Sequence, residues 1–363
     1  MSNVSNPHFN TAAELYRQGK LDDAICELKE AISQEPGLLK AYITLGAIYE
    51  GQKRDDKAID VYRRALQIEM DDPRANYRLG VLLMRLEHYG DALTPLRMAW
   101  SNDQKNPHVA SALAFALDKS GDYATAQIMY EAALRLDPKM SDIRFNLGTL
   151  HFHQKRYEAA ITCYVTYMVK VGDNSRAHRN IAKSLLQLGQ LDSAIVSFKK
   201  AAAMEPASSK NLYSIALVYD MKDELDEAIS YYRQALEITP DYPEARYKLA
   251  KALKSNNQIA EAITEFQTCL HFSPQHHQAL NGLATCFINR REYVEAIGLL
   301  KQAVGISPRY AMAHYNLGVA MSNMANYEGA LQHFQETVRL DPLDEAASSA
   351  VDQLLAQSIS RAI

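Results

Sequence analysis

The chain has 363 residues, 47% of them hydrophobic and 23% charged, with a formal net charge of −4. That balance excludes a chain too polar to fold, and the slight acidity gives no global reason to expect nucleic acid or an anionic membrane as partner. No apolar run approaches the ~18 residues a bilayer span needs, and the opening MSNVSNPHFNTAAEL has neither the basic end nor the apolar stretch of a secretory signal, so no membrane insertion and a cytoplasmic location are expected.

Residues 1–4 are read as a disordered start. From Ser5 the chain is periodic: ten blocks of 34 residues run without an insertion to Asp344, leaving 345–363. The eighth position of a block is always small (Ala12, Gly46, Gly80, Ala114, Gly148, Ala182, Ala216, Ala250, Ala284, Gly318). The twentieth is always alanine, from Ala24, Ala58 and Ala92 through to Ala330. The twenty-seventh is mostly small, and large apolar residues fill the seventh (Leu45, Leu79, Leu249) and the twenty-fourth (Tyr62, Leu96, Tyr130, Phe198, Phe266). Spacings of three, four and seven between these columns predict two amphipathic helices per block, A and B, with the fold class all-α. The small columns let A and B approach closely, and the aromatics are expected to fill the gap towards the next block. The A–B turn often carries glycine (Gly19, Gly121, Gly189), followed by acids such as Asp122 and Asp226 that suit the N-terminus of helix B. Proline closes seven blocks, from Pro36 and Pro138 to Pro342.

Departures from the pattern come next along the chain. Pro95 falls inside helix B of the third block, where it is expected to kink the helix on its outer side; Trp100, the single tryptophan, is expected between blocks three and four. In the fifth block Tyr167 replaces a small residue and Gly172 stands where proline closes other blocks, so VKVGDNS (169–175) is either a locally repacked interface or a softer joint between halves. His151 and His153 lie two apart on a helix and point in different directions, while His276 and His277 lie at an inter-block turn and are read as solvated. Cys26, Cys163, Cys269 and Cys286 share no C-x-x-C spacing and read as small buried residues of a reducing compartment. No P-loop, G-x-G-x-x-G, H-E-x-x-H or G-x-S-x-G occurs, so no catalysis, cofactor or metal is expected. In 345–363 the stripe Ala347, Val351, Leu354, Leu355 and Ile359 predicts an amphipathic capping helix.

The period, the small columns, the aromatics and the closing proline resemble the tetratricopeptide repeat family, over nearly the whole chain. The resemblance implies a right-handed α-solenoid superhelix of antiparallel helix pairs over residues 5–344, with helix A of each block lining a concave groove. It also implies that protein segments bind along that groove, through about the second, fifth, sixth, ninth, twelfth and thirteenth positions of each block. Those positions hold thirteen basic residues: Arg17, Lys40, Arg74, Arg78, Arg85, Lys119, Arg176, Arg179, Lys183, Lys210, Lys248, Lys251 and Lys254. Five acids accompany them: Glu50, Asp118, Asp142, Asp220 and Glu244. A basic groove on an acidic body predicts an acidic protein or peptide partner. Tyr213 and Tyr247 lie among the cations, and Asn146 and Asn180 hold the sixth position, where asparagines grip the ligand backbone in glycosyltransferase superhelices of this family. The family's carboxylate clamp is incomplete: Arg74 and Arg78 fit it, but Phe9, Ala13 and Thr44 replace the other members. The leading expectation is a non-catalytic scaffold or adaptor. A homo-oligomeric assembly platform and the substrate-selecting arm of a glycosyltransferase are the alternatives, and no specific nucleic-acid partner is expected.

Overall fold

The computed structural model describes residues 6–362, and side chains through Gln357. The expected disorder of residues 1–4 and the side chains of Ile359 and Arg361 lie outside the described residues. Every described element is an α-helix, and the chain divides into two compact units that meet in sequence at Asp173 and Asn174. In the first unit the helices are α1 (Pro7–Arg17), α2 (Leu21–Gln34), α3 (Leu39–Gly51), α4 (Asp55–Ile68), α5 (Pro73–Arg85), α6 (Tyr89–Asn102), α7 (Pro107–Lys119), α8 (Tyr123–Leu136), α9 (Ser141–His153) and α10 (Tyr157–Val171). In the second they are α11 (Ser175–Gln187), α12 (Leu191–Met204), α13 (Ser209–Met221), α14 (Leu225–Ile238), α15 (Pro243–Ser255), α16 (Ile259–Phe272), α17 (His277–Asn289), α18 (Tyr293–Ile306), α19 (Ala311–Asn323), α20 (Tyr327–Leu340) and α21 (Glu345–Ala362). Odd numbers up to α19 are the A helices and even numbers the B helices. Each unit is a solenoid of antiparallel pairs.

The columns explain the packing. Ala24, Ala58, Ala92 and Ala126 have no exposed surface, nor do Ala194, Ala228, Ala262 and Ala330. Opposite them the twenty-fourth residue presses on the eighth of its own block: a Cβ on Gly46 would lie 2.5 Å from the Tyr62 ring, one on Gly80 2.5 Å from Leu96, and one on Gly148 2.8 Å from Tyr164. The aromatics therefore close their own hairpin as well as reaching the next block. Phe266 does the latter, its ring 2.5 Å from where a Cβ on Gly282 would stand.

The A–B turns are more uniform than the sequence suggests. The fifteenth residue of every block is left-handed: glycine at Gly19, Gly121 and Gly189, but Lys53, Glu87, Lys155, Asp223, Asn257, Arg291 and Ala325 elsewhere, with φ of 58–63°. That conformation costs an L-residue about 1–2 kcal/mol, against roughly 0.5–1 kcal/mol of extra backbone entropy lost by glycine. Ala325→Gly is therefore expected to raise stability by about 0.5–1 kcal/mol, read as a higher urea midpoint at unchanged slope.

Three local expectations change. Helix α6 runs through Pro95 unbroken, with the ring buried rather than on an outer wall. His276 is half-buried, not solvated: its Nδ1 accepts the Ala279 N–H as the cap of α17, and its ring lies 4.8 Å from Tyr247. Of the cysteines, Cys269 and Cys286 are buried, Cys163 is half-buried and Cys26 is exposed. At the end of the first unit Tyr167 stacks edge-on against Phe145, 5.3 Å between centroids, and Gly172 caps α10 at φ +86°. At the end of the second unit α21 lays Ala350, Val351 and Leu354 on the terminal apolar cluster and buries Ala347, while Leu355 is exposed.

A polar clasp recurs between the fourth and twenty-third positions of a block. In the eighth block Arg246 on α15 holds Glu265 on α16 at 2.8 Å and donates to the Pro240 carbonyl at 3.0 Å. In the first, His8 meets Glu27 at 2.7 Å. In the tenth, His314 donates from Nε2 to the Pro308 carbonyl at 3.0 Å, leaving its Nδ1 to accept from His333 Nδ1–H at 3.1 Å.

Candidate functional site

Within each unit successive A helices approach one another (α3 to α5, α5 to α7, α7 to α9; α15 to α17, α17 to α19), and the B helices do not do so to the same degree. The A helices therefore take the inner side of each unit, the side on which the family resemblance expects the second, fifth, sixth and ninth positions.

On the first unit the arginines Arg74, Arg78 and Arg85 of that face are paired with acids of the same unit. Lys40 on α3 is exposed and has no ion pair among the described residues. Arg74 lies 3.7 Å from Asp72, whose carboxylate caps α5 by accepting the Ala75 N–H at 2.7 Å. Glu50 collects Arg78 and Arg85, each at 3.6 Å, and accepts the Tyr62 hydroxyl at 3.1 Å; Arg85 reaches Asp55 at 2.5 Å as well. These pairs rim a slot of about 400 Å³ with walls of Ile43, Tyr77 and Val81. Burial pushes the Tyr77 hydroxyl pKa up. Asn146 on α9 is half-buried. Asp118, buried on α7, has its pKa raised by desolvation and lies 3.7 Å from His153.

On the second unit the cations behave differently. Arg179 is drawn into the joint between α11 and α13: it holds Glu205 at 2.6 Å and reaches Ser175 and Asn211, each at 3.4 Å. Hydrogen bonds from Ser175, then Arg179 and Asn211, hold the Glu205 pKa down. Arg176 is exposed in the first turn of α11, and Asn180 is half-buried beside it. Lys183 and Lys210 are exposed, and Lys248 and Lys251 stand one turn apart on α15. None of these four lysines has a carboxylate within ion-pair distance among the described residues. Lys254 instead donates to Thr285 on α17 at 3.1 Å. Between them lies an aromatic floor: Tyr213 is 5.1 Å from Tyr242, its hydroxyl pKa pushed up to about 12 by burial, and Tyr247 packs on Phe266 and His276.

The residue types of this face were legible in the period, but its pairing was not. Glu205, Asn211 and Thr285 act on it with no motif to announce them, and Glu50 is legible only as a face acid. Among the described residues no group of three or more His, Cys, Asp or Glu could hold a metal ion, and no helix is long and apolar enough to cross a membrane.

Comparison with known proteins agrees with this architecture. One tetratricopeptide repeat model matches residues 119–184, 221–286 and 287–354, more than half of the chain, and another matches 179–243. A model of the tetratricopeptide repeat protein 21 C-terminal ARM domain matches 20–147. Among curated proteins, human protein O-mannosyl-transferase TMTC1 is 31% identical over 147 residues, 39% of this chain and 16% of that protein. BBSome complex member BBS4 of Bos taurus is 28% identical over 122 residues, 34% of this chain and 24% of that protein. The chain thus spans less than a quarter of either relative. Among solved structures, the C-terminal part of a TPR repeat-containing protein from Cytophaga hutchinsonii aligns with a TM-score of 0.55 at 19% identity, over 66% of this chain and 98% of that one. A tetratricopeptide repeat protein from Parabacteroides merdae aligns with a TM-score of 0.52 at 18% identity, over 69% and 99%.

Proposed function

Because the chain belongs to the tetratricopeptide repeat family, a family of protein-interaction scaffolds, we propose that the inner face of its second unit binds an acidic segment of a partner protein. One observation supports the reading: among the described residues Lys183, Lys210, Lys248 and Lys251 face no carboxylate of their own, whereas Arg74, Arg78 and Arg85 of the first unit are already paired. An ammonium left without a counter-ion costs nothing while it stays in water, and it gains from an incoming carboxylate as its surroundings dry. Tyr213 and Tyr247 supply apolar area beside those charges, and Asn180 offers its amide to a ligand backbone. Arg179 serves as the rivet between α11 and α13, and Lys254 is directed to Thr285. The first unit adds a face of its own, with Lys40, Asn146 and the apolar slot beside Arg74 and Arg78.

A labelled octaglutamate peptide tests this. Reversing Lys183, Lys248 and Lys251 to glutamate is expected to weaken its binding about tenfold or more, at roughly 0.2–1 kcal/mol per exposed pair plus the new repulsion, and to flatten the salt dependence. Unchanged affinity in the triple variant sinks the reading. A second reading is favoured by the match to human O-mannosyl-transferase TMTC1: these repeats as the substrate-selecting arm of a glycosyltransferase. Binding would then not follow ligand acidity, and octaserine would bind as well as octaglutamate.

A further inference from the structure

A second opening lies between the B helices α2 and α4, over the A helix α3. It measures about 500 Å³, and its floor is apolar: Ile32, Tyr42, Leu45, Tyr49 and Val61. That is the volume and lining of a site for one large side chain or small ligand. Its rim is charged. Arg64 and Asp60 satisfy each other at 3.0 Å, which leaves Lys29 and Lys57 against one carboxylate, Asp56. Lys57 sits with its ammonium 5.9 Å from the Tyr49 ring centroid, and neither lysine has an ion pair among the described residues.

The chain itself shows what fits such a place. Five periods later, within the second unit, the same three positions hold Lys199, Tyr219 and Tyr231 where the first has Lys29, Tyr49 and Val61. There Tyr231 lays its ring on Tyr219, 5.6 Å between centroids and 12° between planes. Lys199 donates to the Tyr219 hydroxyl at 2.9 Å and lies 5.4 and 5.7 Å from the two ring centroids. A cation over stacked tyrosines is a favourable arrangement, and it is complete within the chain. In the first unit valine replaces the stacking ring, and the lysine and the receiving tyrosine remain.

We propose that this slot receives an aromatic side chain from an acidic segment of a partner protein. The ring takes the place that Tyr231 fills in the second unit, and the segment's carboxylates meet Lys29 and Lys57. The site lies on the side of the first unit carrying the B helices, so it is separate from the inner faces and does not rest on the reading given for them.

The test compares two labelled peptides, Ac-Glu-Glu-Tyr-Glu-Glu-NH2 and the same peptide with alanine for tyrosine. Both are titrated on the full chain carrying the Lys183, Lys248 and Lys251 reversals, so that the inner face of the second unit does not contribute. The tyrosine peptide is expected to bind about tenfold more tightly than the alanine peptide. Val61→Tyr, which copies Tyr231, is expected to abolish that preference by filling the slot. Lys57→Glu, which copies Glu227 of the second unit, lies on the exposed rim and is expected to weaken the tyrosine peptide without altering the thermal transition. Equal binding of the two peptides, or a preference that survives both substitutions, overturns the proposal. If the inner-face reading alone is wrong, the lysine reversals change neither peptide, and the effect of Val61→Tyr persists.

Discussion

Replacing Phe266 by alanine is expected to cost the second unit about 3–5 kcal/mol, seen as a lower urea midpoint by circular dichroism. The ring is 1% exposed and joins two blocks at once, with Tyr247 on one side and Gly282 of the next block on the other. In a repeat array stability is a sum of what each repeat holds and what each interface holds, and this side chain enters both sums. Gly282 shows how tight the fit is. A Cβ there would stand 2.5 Å from both Cε1 and Cζ of Phe266, so Gly282→Ala is expected to cost about 1–3 kcal/mol through overpacking. Shortening the ring to leucine removes Cε1 and Cζ, the two atoms that a Cβ at Gly282 would meet. The pair Phe266→Leu with Gly282→Ala is therefore expected to be less harmful than the sum of its members. Simple additivity would show that the two residues do not share the contact.

The contact between Phe266 and Gly282 also marks what could be read in advance. Helix pairs, their lengths and their small columns follow from the period, because an alanine repeated at one position can only mean a contact too close for anything larger. The turn was half legible: glycine at Gly19 announces a left-handed residue, but Lys53 and Ala325 adopt the same conformation at a cost, and nothing in their chemistry signals it. On the inner faces the cations were legible as residue types. Whether each is available was not, because that depends on carboxylates distant in sequence. Arg179 and Lys183 lie one turn apart on α11, yet the first is bound to Glu205 and the second faces no acid among the described residues. The open slot over α3 was invisible, since it arises from Val61 being smaller than the ring that fills the corresponding place beside Tyr219.

The clasps between the fourth and twenty-third positions escaped for a related reason: the geometry repeats while the chemistry changes, from His8 and Glu27 to Arg246 and Glu265 to His314 and His333. The central one carries the second large prediction. Arg246 and Glu265 are 15% and 25% exposed, and the guanidinium also holds the Pro240 carbonyl and lies 5.6 Å from the Phe272 ring centroid. Arg246→Leu is expected to cost about 3 kcal/mol, because Glu265 then keeps its charge in a half-dry site with no partner. Removing both charges removes that penalty. The next block holds Leu280 and Leu299 at these two positions and packs them into its apolar cluster, so the double variant Arg246→Leu with Glu265→Leu has a working template in the same molecule. It is expected to fall within about 1 kcal/mol of the parent, which makes the coupling between the two substitutions strongly favourable. Urea unfolding of the four proteins decides. If the double variant is as unstable as Arg246→Leu alone, the loss comes from the Pro240 carbonyl and the stacking on Phe272, and the ion pair itself is incidental.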